Sequence, residues 1–262
     1  MGIAEQIADD WHAALAALSW EVEAGADEAI GDAPINRYDL SVEAPKPLEA
    51  KVFAPPPPSL SAADPVAMAQ AAADSAGSLA ALRDALAAFD LCDLKKGARN
   101  TVFSDGNPRA RILILGEAPG GEEDREGRPF VGRAGQLLDR MFAAIGLSRS
   151  SPDTPTALYI TNVMPWRPPG NRDPSPAEIA MMLPFVQRHI ALVDPQVIVV
   201  VGNTPLFALT GTKGILRARG NWSQALGKPL LPMTHPAYLL RNPAAKREAW
   251  ADLLALQARL RG

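Results

Sequence analysis

Four short apolar runs constrain this chain more than any other feature: RILILG (111–116), ALYITNV (157–163), QVIVVVG (196–202) and PLLPMTH (229–235). Each has strand length, and helical stretches separate them: AGQLLDRMFAAIGL (134–147), SPAEIAMMLPFVQRHIALV (175–193) and TPLFALTG (204–211). Ser175 is placed to cap the second helix, with Pro176 in its first turn. NPAAKREAWADLLALQARL (242–260) reads as a last helix capped by Asn242. Strand, loop and helix in alternation predict a parallel sheet, because parallel neighbours need a helical crossover. The expected fold is a three-layer α/β/α arrangement around a central, mostly parallel four-stranded sheet.

The first part of the chain reads differently. Residues 1–30 contain IAEQIADDWHAALAALSWEVEAG, an amphipathic helix ending at Gly25. Residues 31–65, with PKP and PPPP, read as an acidic Pro-rich linker. An alanine-rich helix is expected over 66–89, and residues 1–80 as a whole read as a tethered accessory segment. The catalytic domain is expected over 66–262, with its core at about 86–260. Charge divides in the same way: residues 1–88 carry 4 Lys/Arg against 14 Asp/Glu, and residues 89–262 carry 22 against 15. The net charge of −3 therefore describes neither half, and the basic half suits a polyanionic partner. MGIAEQIADDW is acidic and does not read as a targeting peptide, and no apolar run has bilayer length. One cysteine, Cys92, excludes an internal disulfide framework and fits a reducing, cytoplasmic setting.

A doubly wound sheet puts ligands in the crevice beyond the carboxyl ends of its strands. The loops there read GEAPG, TNVMPWRPPGNR, GNTP and THPAYLLRNP. GEAPGG lacks the Lys-Ser/Thr of a P-loop and the GxGxxG spacing, and Glu117 would repel phosphate. The three histidines lie in separate elements, so no metal site is expected. GEEDREG reads as a solvated connection. Cys92, between aspartates and ahead of the sheet, reads as inert. What remains at the strand ends is Glu117, Phe130, Asn162 and His235. A ring offers a stacking platform, an amide presents donor and acceptor to a base edge, and a histidine donates to a developing anion. A carboxylate orients water or stabilises a cationic sugar.

GEAPGGEEDREGRPFVGRAGQLLDRM, ITNVMPWRPPGNRDPSPAE and THPAYLLRNPAAKREAW, with the lead-in LCDLKKGARNTVFSDGNPRARILIL, closely resemble the signature regions of the family-four uracil-DNA glycosylases. The resemblance spans about residues 86–260. It implies the uracil-DNA glycosylase fold and a monofunctional enzyme that flips uracil from DNA, cleaves its glycosidic bond and leaves an abasic site for base-excision repair. By the same resemblance Gly116, Glu117 and Ala118 belong to the loop beside the glycosidic bond, with Glu117 the catalytic carboxylate. Phe130 would stack on the extruded base, Asn162 would read its edge, and His235 would hydrogen-bond uracil O2. Leu239 or Leu240 would be the wedge that enters the duplex. Arg167, Arg172, Arg241, Lys246 and Arg247 would contact phosphates.

Two departures accompany the resemblance. Family members usually hold an iron–sulfur cluster through four cysteines, and the corresponding positions here are Phe89, Cys92, Trp166 and about Met181. One thiolate cannot hold such a cluster, so a cluster-free protein is expected. A DNA-trapping relative carries a basic insert ending in histidine where this chain reads WRPPGNRDPSP, so turnover without a stable crosslink is expected. The expected partners are uracil-containing DNA and free uracil as product, with no membrane, a monomeric chain, and a repair partner for the acidic arm. The competing reading is a homologue that binds uracil or abasic DNA without cleaving it, or one that prefers another base.

Overall fold

In a computed structural model, which describes residues 64–261 and, before them, His12, Ala14, Leu15 and Ser19, the four apolar runs form the middle of a six-stranded sheet. The strands are β1 (Ser104–Gly106), β2 (Ile112–Gly116), β3 (Leu158–Asn162), β4 (Val197–Val201), β5 (Ser223–Ala225) and β6 (Lys228–Met233). Their order is β1-β3-β2-β4-β6-β5. β3, β2, β4 and β6 are mutually parallel, while β1 and β5 close the edges antiparallel. The expected four-stranded sheet is thus extended by two edge strands. SDG and SQA are three-residue polar segments with no apolar run to announce them.

Side chains alternate across the pleat and divide the core in two. Ile112, Ile114, Ile160, Val199 and Met233 face α5 (Arg133–Ala143) and α10 (Lys246–Arg261), through Leu138, Phe142, Leu253 and Leu256. Leu113, Leu115, Tyr159, Ile198 and Val200 face the opposite layer. That layer holds α1 (Pro65–Ser75), α2 (Leu79–Ala88), α6 (Pro176–Val193) and α7 (Asn203–Thr210). Each fully buried aliphatic side chain contributes about 1.5–3 kcal/mol, and both faces of every central strand are covered. Short helices α3 (Leu94–Gly97), α4 (Gly121–Glu126), α8 (Ile215–Ala218) and α9 (Pro236–Arg241) complete the fold. Ser175 caps α6 as expected, accepting from the Glu178 N–H at 3.2 Å while the Glu178 carboxylate accepts from the Ser175 N–H at 2.6 Å.

Three expectations change. The helix over 66–89 is two helices, broken at Ala76–Gly77, with Asp64 and Ser78 as separate caps. Ala69, Ala73 and Leu82 are fully buried, and Arg188 on α6 donates to the Ala76 carbonyl at 2.8 Å. Residues from 65 onward therefore belong to the folded body, and the accessory segment does not extend to residue 80. The final helix over 242–260 begins with a 3-10 turn, Pro243–Ala245, before α10. The helix expected over 1–30 and the linker expected over 31–65 lie almost wholly outside the described residues.

Candidate functional site

The crevice falls at the carboxyl ends of β2, β3, β4 and β6, where connections leave β2 and β4 in opposite directions. A cavity of about 690 Å³ opens there, and Glu117, Ala118, Phe130, Asn162, Thr204 and His235 line it. The four residues singled out at the strand ends are brought together. β2 and β3 are in register at Gly116 and Asn162, and the chains beyond them stay joined through Val163 N–H to Gly116 O and Met164 N–H to Glu117 O, both at 2.9 Å.

Gly116 explains how the base of the cavity closes. A Cβ there would lie 2.3 Å from Asn162 Oδ1 and 2.5 Å from Phe130 Cε2. Only a residue without a side chain lets the amide and the ring converge. Asn162 is buried, and its Oδ1 has no hydrogen-bond partner among the described residues. A buried acceptor left unpaired costs about 1–3 kcal/mol, a cost that a ligand donor would remove.

Phe130 is buried at 6% exposure with φ of 54°, a left-handed conformation uncommon for a bulky residue. Two charged side chains hold it there. Arg149 donates to Pro129 O at 2.8 Å and Phe130 O at 2.9 Å, and is itself held by Asp139 and Asp105. Glu123 accepts from the N–H groups of Val131 and Gly132 through Oε1 and from Gly120 through Oε2, at 2.9–3.0 Å. One carboxylate thus ties the Glu117 loop to the Phe130 loop. The expected solvated connection EEDREG is instead largely α4, with Glu123 as this tie and Asp124 buried against the backbone of Arg99 and Asn100. The Phe130 ring belongs to the core and to the cavity wall at once, 5.6 Å from the His235 ring at 33°.

Burial pushes the Glu117 carboxyl above its usual range; Thr204 opposes this with a hydrogen bond to Oε2 at 2.5 Å, and the Asp173 charge reinforces it. Glu117 itself lines the cavity. His235 caps α9, its Nδ1 accepting from the Ala237 N–H at 3.2 Å. That bond puts the proton of the neutral ring on Nε2. Burial holds the ring's pKa down to about 4, with the Arg241 charge pushing the same way and Glu123 opposing. His235 is therefore a neutral donor at physiological pH. Thr204, Glu123 and Arg149 were not among the expected site residues. Thr204 stood in a loop already marked by its position, whereas Arg149 acts through contacts ten or more residues away and Glu123 joins a local cap at Gly120 to a second loop at Val131 and Gly132.

The outer residues divide. Leu239 is fully buried against Leu137 and Ala249, which removes it as a wedge and leaves Leu240, partly exposed on the same helix. Arg172 forms a bidentate pair with Glu178 at 2.7 and 2.9 Å, so its charge is not free. Arg167 donates to Asn171 Oδ1 at 2.8 Å. Arg241 lines the cavity mouth, and Lys246 and Arg247 are exposed beyond it.

The four positions that the resemblance assigns to an iron–sulfur cluster do not fit one. Phe89, Cys92 and Trp166 are buried, with Met181 packed on the same apolar cluster. Phe89 stands edge-on to Phe185 at 5.3 Å, and Trp166 Nε1 donates to Thr101 Oγ1 at 3.1 Å. Burial raises the pKa of the lone Cys92 thiol, which disfavours the thiolate a metal needs. No group of three or more His, Cys, Asp or Glu suited to a metal occurs among the described residues.

A family model described as the uracil DNA glycosylase superfamily matches residues 103–254, a span holding every cavity residue named above. The chain is 44% identical over 154 residues to a type-4 uracil-DNA glycosylase of Thermotoga maritima, covering 58% of this chain and 77% of the relative. It is 39% identical over 173 residues to a type-4 uracil-DNA glycosylase of Archaeoglobus fulgidus, covering 62% and 82%. Similarity to a type-5 uracil-DNA glycosylase of Thermus thermophilus is 31% over 134 residues, covering 48% and 61%.

Proposed function

Because this chain belongs to the uracil-DNA glycosylase superfamily, we propose that it excises uracil from DNA by hydrolysis, as a monofunctional glycosylase that leaves an abasic site for base-excision repair. The observation that carries this reading is the unpaired, buried Asn162 Oδ1 beside the Phe130 ring. Uracil carries a hydrogen on N3 and cytosine does not. Uracil therefore satisfies the orphan acceptor, whereas cytosine would set a lone pair against it in a dry site. Rejection built on a buried unpaired polar group reaches about 10⁴–10⁵.

A base in a duplex is out of reach of this cavity and must be extruded, at about a few kcal/mol. Phe130 then stacks on the base and Asn162 reads its edge. As the C1′–N1 bond breaks, its electron pair leaves with the base and spreads onto O2, where the Nε2–H of His235 donates. Water adds to C1′, and Glu117 Oε1 faces the cationic sugar and takes the water proton while Thr204 holds Oε2. No step draws on a metal or a cluster.

The test is incubation with a uracil-containing oligonucleotide followed by alkali. Strand breaks are expected with the intact chain, with Asn162→Ala and His235→Ala each reduced by about 10²–10³. An intact chain no better than these variants is a binder of uracil or abasic DNA rather than an enzyme.

A further inference from the structure

Of the large apolar side chains exposed among the described residues, Leu216 alone stands at the lip of the cavity, 56% exposed. It sits on α8, and the loop leading into α8 is fastened. Asn203 Oδ1 accepts from the N–H groups of Gly214 at 3.1 Å and Ile215 at 2.9 Å, and Ile215 is buried beneath. The leucine is held outward by an ordered turn.

Two exposed cations flank it. The Lys213 ammonium lies 4.9 Å over the Phe207 ring, and the Arg217 guanidinium folds over Gly214, 3.4 Å from where a Cβ would stand. Neither meets a carboxylate among the described residues, whereas Arg219, two positions on, is held by Asp252 and Glu248. The cavity of about 690 Å³ is several times the size of one pyrimidine, so its mouth has room for the neighbouring strand. Tyr238 and Arg241 on α9 also border that mouth.

We propose that α8 and the loop before it form a second jaw of the DNA groove, with α9 as the first. Leu216 packs on the base or sugar next to the extruded nucleotide, and Lys213 and Arg217 meet the phosphates on that side. This assignment rests on the DNA-glycosylase reading above. The match is one of charge and shape: an apolar tip between unpaired cations suits a strand whose bases are splayed from a phosphate backbone.

The test measures binding to a labelled single strand of roughly 20 nucleotides, longer than the site of one small domain. The strand carries one 2′-fluorodeoxyuridine, whose electron-poor sugar resists cleavage. With Lys213→Ala/Arg217→Ala, the slope of log affinity against log salt is expected to flatten by about 1.4, or 0.7 for each lost phosphate contact. Leu216→Ala is expected to weaken binding about fivefold with the slope retained. Arg109→Ala, at the opposite end of β2, controls for total charge. An unchanged slope in the double variant, or a flattening by about 0.7 in the single Arg109→Ala, overturns the jaw, and unchanged affinity in Leu216→Ala removes the leucine from it. An intact chain that binds this probe yet releases no uracil from an ordinary oligonucleotide defeats the excision reading instead, and the slopes still judge the jaw.

Discussion

Thr204 and Glu117 show how one hydroxyl sets the working range of a carboxylate. Burial raises the Glu117 pKa, and the Thr204 hydrogen bond is the influence that opposes it. Removing a donor to the charged form raises the pKa further. Thr204→Val should therefore move the acidic limb of the excision rate to higher pH. On that limb, below both pKa values, the loss at a given pH should be about tenfold, as for a hydrogen bond to a charged group of ~1.5 kcal/mol. A pH–rate profile under single-turnover conditions checks this, and a limb that stays in place removes Thr204 from the role. His235 contributes no limb near neutrality, because its ring is neutral down to about pH 4. Its place at the cavity was legible from its position after a strand; its tautomer was not, since that follows from the turn that brings the Ala237 N–H to Nδ1.

The loop that carries Phe130 is held by partners that no local pattern announces. Glu123 spans eight and nine residues to Val131 and Gly132, and Arg149 reaches back about twenty to Pro129 and Phe130. Central strands were legible because continuous apolar runs have one explanation, burial on both faces. The polar edge strands were not: β1 is decided by pairing with β3 some 55 residues on, and β5 is a three-residue hairpin arm onto β6 with no apolar run to mark it; the break at Ala76–Gly77 and the Glu123 tie were likewise not legible. Glu123→Ala frees three backbone N–H groups and should cost about 1–3 kcal/mol of stability. It should also lower excision by about 10² through a displaced Phe130. Glu123→Gln keeps an acceptor oxygen and should recover most of the rate. Thermal melts beside single-turnover rates separate the two effects, and a melt that drops with the rate intact assigns Glu123 to stability alone.

Considered as one folded body, residues 64–261 carry a pH dependence from a histidine outside the site. His189 is buried between the Phe103 ring, stacked at 4.4 Å, and the Tyr159 hydroxyl, 2.8 Å from Nε2. Burial drives its pKa from 6.5 down to about 3. Below pH 6.5 the unfolded chain takes up a proton that the folded chain refuses. Stability is thus full above 6.5 and falls as pH drops, by about 1.4 kcal/mol at pH 5.5. His235, held down to about 4, acts in the same direction, so urea midpoints at pH 7.5 and 5.5 should differ by more than this, and His189→Gln should lessen the difference by about 1.4 kcal/mol even though the variant is weaker at both.

The apolar patch of Phe89, Cys92, Trp166 and Met181 bears on the conditions under which the chain can be made. A fold stapled by a metal cluster is hostage to iron supply and to oxidants, and its apo form is partly unfolded. Here side-chain packing occupies that place, and the single thiol is buried. We therefore propose that maturation proceeds without cluster-assembly machinery, so that yield and melting temperature do not depend on iron supply during expression. On that proposal, chain purified from iron-starved cells should excise uracil as fast as chain from iron-replete ones, and a rate that rises with iron would overturn it.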